Sequence, residues 1–84
     1  MTKKRVLIVD DEEGFTRLLR LNLGCTGRYT VRTENSAPEA LTAVREFRPD
    51  LILLDVMMPG LDGGAIAAQL QSRSDTRSIP VVFV

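Results

Sequence analysis

Four short apolar runs alternate along this chain with three stretches in which apolar residues recur every three or four positions. The first run, RVLIV at residues 5–9, and the third, LILL at 51–54, show no polar alternation. Each therefore predicts a strand buried on both faces, the kind found in parallel sheets. Residues 29–33, YTVRT, alternate and are rich in strand formers, which predicts a strand nearer a sheet edge with Tyr29 half-buried. Residues 79–84 predict a fourth, buried-type strand that tolerates Pro80 at its start. Between the first two runs, Phe15, Leu18, Leu19, Asn22 and Leu23 repeat at helical spacing, with Arg17 and Arg20 opposite and Gly24 and Gly27 as stops. Ser36-Ala37-Pro38-Glu39 has the pattern of a capping box with proline in the first turn. Behind it Ala37, Ala40, Leu41, Val44 and Phe47 form an apolar stripe, and Arg48-Pro49 ends the helix. A third helix, capped by Asp62 and running from about Gly64, turns Ile66, Ala67 and Leu70 inward before a polar loop at 72–78.

The order β-α-β-α-β-α-β predicts an α/β fold: a doubly wound parallel sheet with helices on both faces and right-handed crossovers. An 84-residue chain that is 44% hydrophobic fits one domain of modest stability, without repeats or linkers. It stops on an apolar strand, which would leave a hydrophobic edge open, so the sequence reads as cut short. Eleven basic and eleven acidic residues cancel, and no basic run extends beyond residues 3–5, which argues against a direct nucleic-acid surface. No apolar stretch approaches the ~20 residues of a membrane span, and the N-terminus lacks a signal-peptide core. Cys25 is the single cysteine, which excludes an internal disulfide; it is expected to pack behind the first helix, and a reducing, cytoplasmic location is expected with it. With no histidine in the chain, any chemistry rests on carboxylates, hydroxyls and cations.

The carboxylates are where the chemistry collects. The first run empties into Asp10, Asp11, Glu12 and Glu13. One or two acids would cap a helix and complement its dipole, but four in succession exceed that need. The third run delivers Asp55 to a loop marked by Pro59, Gly60 and the Gly63–Gly64 pair. In a sheet of order 2-1-3-4 the winding reverses between strands 1 and 3, so Asp10, Asp11 and Asp55 converge on one crevice. Two unit charges about 4 Å apart repel by ~4 kcal/mol at an effective dielectric of 20, so the cluster requires protons or a cation. An all-oxygen donor set suits Mg²⁺, and a divalent ion beside a carboxylate prepares phosphoryl chemistry.

VLIVDDE, EAL and DLILLDVMMPGLDG, in this order, resemble the receiver domain of two-component response regulators across essentially the whole chain. The resemblance implies a flavodoxin-like receiver fold with Asp55 as phosphoacceptor and Asp10 and Asp11 as the metal-binding acid pair. It further implies that Asp55 and the backbone carbonyl of Met57 join them around Mg²⁺. The implied phosphoryl donor is a sensor histidine kinase or a histidine phosphotransfer protein, and the domain is a signalling switch, not a turnover enzyme. A Thr or Ser would follow strand 4, in the position immediately after Val84, and a Lys would end a fifth strand. Residues 1–84 thus read as the N-terminal portion of a receiver domain, with the fifth strand and last helices missing. Two other readings stand beside this one. The chain would act as an interaction or dimerisation module through the strand at 79–84, or as a Mg²⁺-dependent phosphohydrolase with an aspartyl nucleophile. The latter wants a second acid two residues after the nucleophile, and Met57 occupies that place.

Overall fold

Strand and helix alternate through seven elements among the described residues: β1 (Lys4–Val9), α1 (Glu13–Gly24), β2 (Tyr29–Glu34), α2 (Ala37–Phe47), β3 (Leu51–Leu54), α3 (Gly63–Gln71) and β4 (Val81–Phe83). The structure is a computed structural model that describes residues 3–55 and 63–83. All pairings are parallel and the strand order is β2-β1-β3-β4, as the alternation of elements predicts. Val6 to Val9 of β1 lie opposite Leu51 to Leu54 of β3, residue for residue, so both strands end at the same level. At the far end Arg5 and Asp50 fix that register. The Arg5 N–H donates to Asp50 Oδ2 at 2.8 Å, and the Asp50 N–H donates to the Arg5 carbonyl at 2.7 Å.

One face of the sheet supplies Leu7, Val9, Ile52 and Leu54 to the core, against Ala40, Ala43 and Val44 of α2 and Ile66 and Leu70 of α3. The other face carries Val6 and Ile8, both buried, and on this side α1 lies chiefly against β2. Away from α1 the cover thins. Leu51 and Leu53 are half-buried, so β3 is fully buried on one face and not on both as its composition predicted. The same effect is stronger at β4, where Val82 and Phe83 are 46% and 49% exposed. The expected strand at 79–84 is observed only over Val81–Phe83, and Val84 lies outside the described residues.

Three local expectations are corrected. In α1 the inward stripe is Thr16, Leu19 and Leu23, while Leu18, Asn22 and Leu21 face solvent; only Leu19 and Leu23 of the predicted apolar face hold among the described side chains. Residues 16, 19 and 23 are spaced as one helix face, and a threonine begins it, which an apolar count overlooks. Ser36 does precede α2 in an extended conformation, but its hydroxyl makes no cap bond. Pro38 in the first turn explains part of this, because it removes a backbone N–H that a cap would take. The Ser36 carbonyl still starts the helix, accepting the Ala40 N–H at 3.0 Å. Cys25 is exposed after α1 and does not serve as a packing residue. Gly27, at φ 71°, makes the left-handed turn into β2. The polar loop at 72–78 is a series of turns stapled by Thr76, which is buried and donates its hydroxyl to the Leu70 carbonyl at 2.6 Å. The side chains of Phe15 and Ala37 lie outside the described ones, as does Asp62.

Candidate functional site

The level ends of β1 and β3 are what assemble the site. The Asp55 N–H donates to the Val9 carbonyl at 2.9 Å, which extends the ladder one residue past β3 and sets Asp55 beside the chain leaving β1. On the other side of β1, the Asp10 N–H donates to the Glu34 carbonyl at 3.1 Å. The Val9–Asp10 peptide is therefore stitched between β2 and the chain leaving β3, and at 7% exposure Asp10 is a buried acid. Asp11 follows at the surface, and Asp55 is half-buried. One carboxylate oxygen from each of Asp10, Asp11 and Asp55 lies within 4.8 Å of the others. All three acids singled out in the sequence thus meet.

Burial is the main reason that the Asp10 carboxyl titrates above its ordinary value of 3.8, and the neighbouring Asp55 and Asp11 push it the same way. The Glu12 N–H, donating to Asp10 Oδ1 at 3.0 Å, works against this by holding the charged form. One further group touches the turn. Asn35, directly after β2, donates its side-chain amide to the Asp10 carbonyl at 2.6 Å. Its sequence signal was slight: a side chain with a donor at the C-terminal end of the strand next to β1.

A hard divalent cation fits this donor set. Asp10, Asp11 and Asp55 would hold it through the carboxylate oxygens that already lie within 4.8 Å of one another, the all-oxygen donor set that Mg²⁺ takes. Met57, whose backbone carbonyl is the fourth ligand expected, lies outside the described residues. A cavity of about 350 Å³ lined by residues that include Val44, Arg48, Pro49, Asp75 and Ile79 sits at the opposite end of the sheet, and Asp10, Asp11 and Asp55 take no part in it. Among the described residues no helix is long and apolar enough to cross a membrane.

The chain is similar to proteins of one kind. It is 45% identical over 80 residues to the response regulator PleD of Caulobacter vibrioides, a match that covers 95% of this chain and 17% of that protein. To the polar-differentiation response regulator DivK of Brucella anthropi it is 41% identical over 81 residues, covering 96% of this chain and 65% of that one. Among solved structures, the N-terminal domain of a response regulator receiver protein from Methanoculleus marisnigri superposes with a TM-score of 0.90 at 33% identity, over 98% of this chain and 66% of that one. The chain thus spans less than two thirds of these curated relatives' length. The sequence profile described as the response regulator receiver domain matches residues 6–84, and the chain belongs to that family.

Proposed function

We propose that this chain is the N-terminal portion of a receiver domain that accepts a phosphoryl group on Asp55, with Mg²⁺ held by Asp10, Asp11, Asp55 and the Met57 carbonyl. The observation that carries the reading is the convergence of three carboxylates from adjacent, level strand ends to within 4.8 Å. The donor is a sensor histidine kinase or a histidine phosphotransfer protein in the cytoplasm. Asp55 supplies the attacking oxygen: a new O–P bond forms as the P–N bond to the donor's imidazole breaks, and that bond's electron pair stays on the nitrogen. Asp10 and Asp11 hold negative charge beside the nucleophile and make the site attractive to a cation. When bound, Mg²⁺ neutralises phosphate oxygens, so that an anionic carboxylate approaches phosphorus without prohibitive repulsion. The Asp10 backbone is held by the sheet and its carboxylate by the Glu12 N–H, which together keep that charge in place.

Incubation with Mg²⁺ and a small acyl phosphate, followed by intact-mass measurement, tests the reading. One phosphoryl adduct is expected, absent in Asp55→Asn and in EDTA. An adduct that survives Asp55→Asn removes Asp55 from the role, and steady release of phosphate without an adduct favours the phosphohydrolase reading. Self-association through residues 79–84 is the second reading, favoured by the exposure of Val82 and Phe83 on β4.

A further inference from the structure

We propose that Asn35 is a positioning residue for the acid site, holding the peptide between Asp10 and Asp11 so that both carboxylates face one divalent cation. The inference rests on the reading of Asp10, Asp11 and Asp55 as a Mg²⁺ site. Among the described residues, three hydrogen bonds fix the backbone and side chain of Asp10 in this turn. The Asp10 N–H belongs to the sheet, donating to the Glu34 carbonyl at 3.1 Å. The Asp10 side chain is clamped locally by the Glu12 N–H at 3.0 Å. The third is different in kind: Asn35 reaches from the β2–α2 connection to the Asp10 carbonyl, and at 2.6 Å it is shorter than the usual N–H···O bond.

That carbonyl belongs to the peptide joining the two acids. A peptide is planar, so fixing its C=O direction also fixes the N–H of Asp11 and the direction in which the Asp11 chain departs. Asp11 is exposed, so packing does little to orient it. Asp10 has its own clamp, whereas Asp11 inherits its placement from the plane that Asn35 holds. The chemistry at position 35 matters as much as the reach. A neutral amide donates to the carbonyl without adding charge beside three acids. An aspartate of the same shape would turn an acceptor toward an acceptor and lose the bond.

This yields an experiment in which positioning and electrostatics predict opposite signs. Mg²⁺ titrations followed by backbone amide shifts are run on the full chain and on Asn35→Ala, Asn35→Asp and Asp11→Ala. The Asp10 carbonyl ¹³C resonance is recorded without Mg²⁺. Asn35→Ala is expected to weaken Mg²⁺ binding by about tenfold, the low end for groups that orient metal ligands, and to shift the Asp10 carbonyl resonance. Asn35→Asp is expected to weaken it too, although an added negative charge alone would strengthen it. Unchanged affinity in Asn35→Ala, or tighter binding in Asn35→Asp, overturns the proposal. So does loss of the fold in both variants, judged from resonances of β3 and α2, since Asn35 would then hold the domain and not the site. A wild-type chain that ignores Mg²⁺, or responds no differently from Asp11→Ala, refutes the metal-site reading itself and Asn35's role with it.

Discussion

Replacing Asp10 with Asn should make the metal-free protein more stable while weakening its hold on Mg²⁺. Asp10 is 7% exposed, and its nearest oxygens to Asp11 and Asp55 lie within 4.8 Å. At that separation two unit charges repel by about 3.5 kcal/mol at an effective dielectric of 20, and by about 1 kcal/mol in a water-like medium. Asp11 adjoins Asp10 in the unfolded chain as well, so the repulsion that folding creates is chiefly the one with Asp55. Asn keeps an oxygen for the Glu12 N–H, but as a neutral acceptor, which forfeits roughly 0.5–1 kcal/mol. The net gain is up to about 3 kcal/mol, each kcal/mol being equivalent to roughly 4–8 °C in Tm for a domain of this size. The pH dependence follows from the raised Asp10 pKa, whose main cause is burial. Folded Asp10 binds its proton more tightly than unfolded Asp10, so its contribution is fully present below the ordinary value of 3.8 and is lost as pH rises through the folded value. The advantage of Asp10→Asn is therefore largest near neutral pH and shrinks toward acid. Mg²⁺ should narrow or reverse it, because the cation stabilises the state that binds it. Urea unfolding in EDTA and in Mg²⁺, near pH 7 and near pH 4.5, measures all of this. A variant that unfolds at equal or lower urea in EDTA at neutral pH would refute the reasoning.

Two further outcomes can be checked on the same samples. Arg48 closes α2 in the left-handed region at φ 50°, so Arg48→Gly should raise the unfolding free energy from urea titration by about 0.5–1 kcal/mol once glycine's entropy cost is set against the relieved strain; a lower midpoint would show that the arginine side chain contributes more than its backbone costs. If β4 mediates self-association, light scattering over a wide concentration range should show oligomers that Val82→Lys weakens by at least about tenfold, whereas a monomer throughout that range refutes the interface.

The acid site was legible because its determinants are short and local. Two apolar runs that end in aspartate, placed at the first and third strands of an alternating pattern, suffice to bring Asp10, Asp11 and Asp55 together. What surrounds the site was less legible, since it depends on which neighbour covers which face. Leu18 satisfies helical spacing yet is 57% exposed, while Thr16 is buried in its stead. Asn35 does its work through a single bond to a residue of another connection, and no local pattern announces such a partner. The two sheet edges were easier to read. β2 carries Arg32, ion-paired with Glu34 at 2.9 Å and with Glu46 at 3.5 Å, whereas β4 presents Val82 and Phe83. Alternation foretold the edge position of β2, and the open hydrophobic edge expected of the fourth strand is seen at Val82 and Phe83 of β4.

Magnitudes explain why a cluster of like charges forms at all. The acids converge because β1 and β3 are in register, and the core sets that register. A slip of one residue would carry Asp55 about 3.3 Å along β1, relieving the repulsion, but it would turn Ile52 and Leu54 to the opposite face. Ile52 and Leu54 are 1% and 0% exposed, and each would forfeit part of the roughly 1.5–3 kcal/mol of full burial on the half-buried face that Leu51 and Leu53 occupy. The Arg5–Asp50 bonds at the far end would break in the same slip, at about 0.5–1.5 kcal/mol each. Together these losses match or exceed the ~1–3.5 kcal/mol of a single acid–acid repulsion. Hydrophobic burial and the Arg5–Asp50 bonds therefore hold the carboxylates together, and the price appears as the raised Asp10 pKa, which the proposed cation would relieve. Loosening the core by Leu54→Ala, at about 2–5 kcal/mol, should accordingly weaken Mg²⁺ binding even though Leu54 touches no ion.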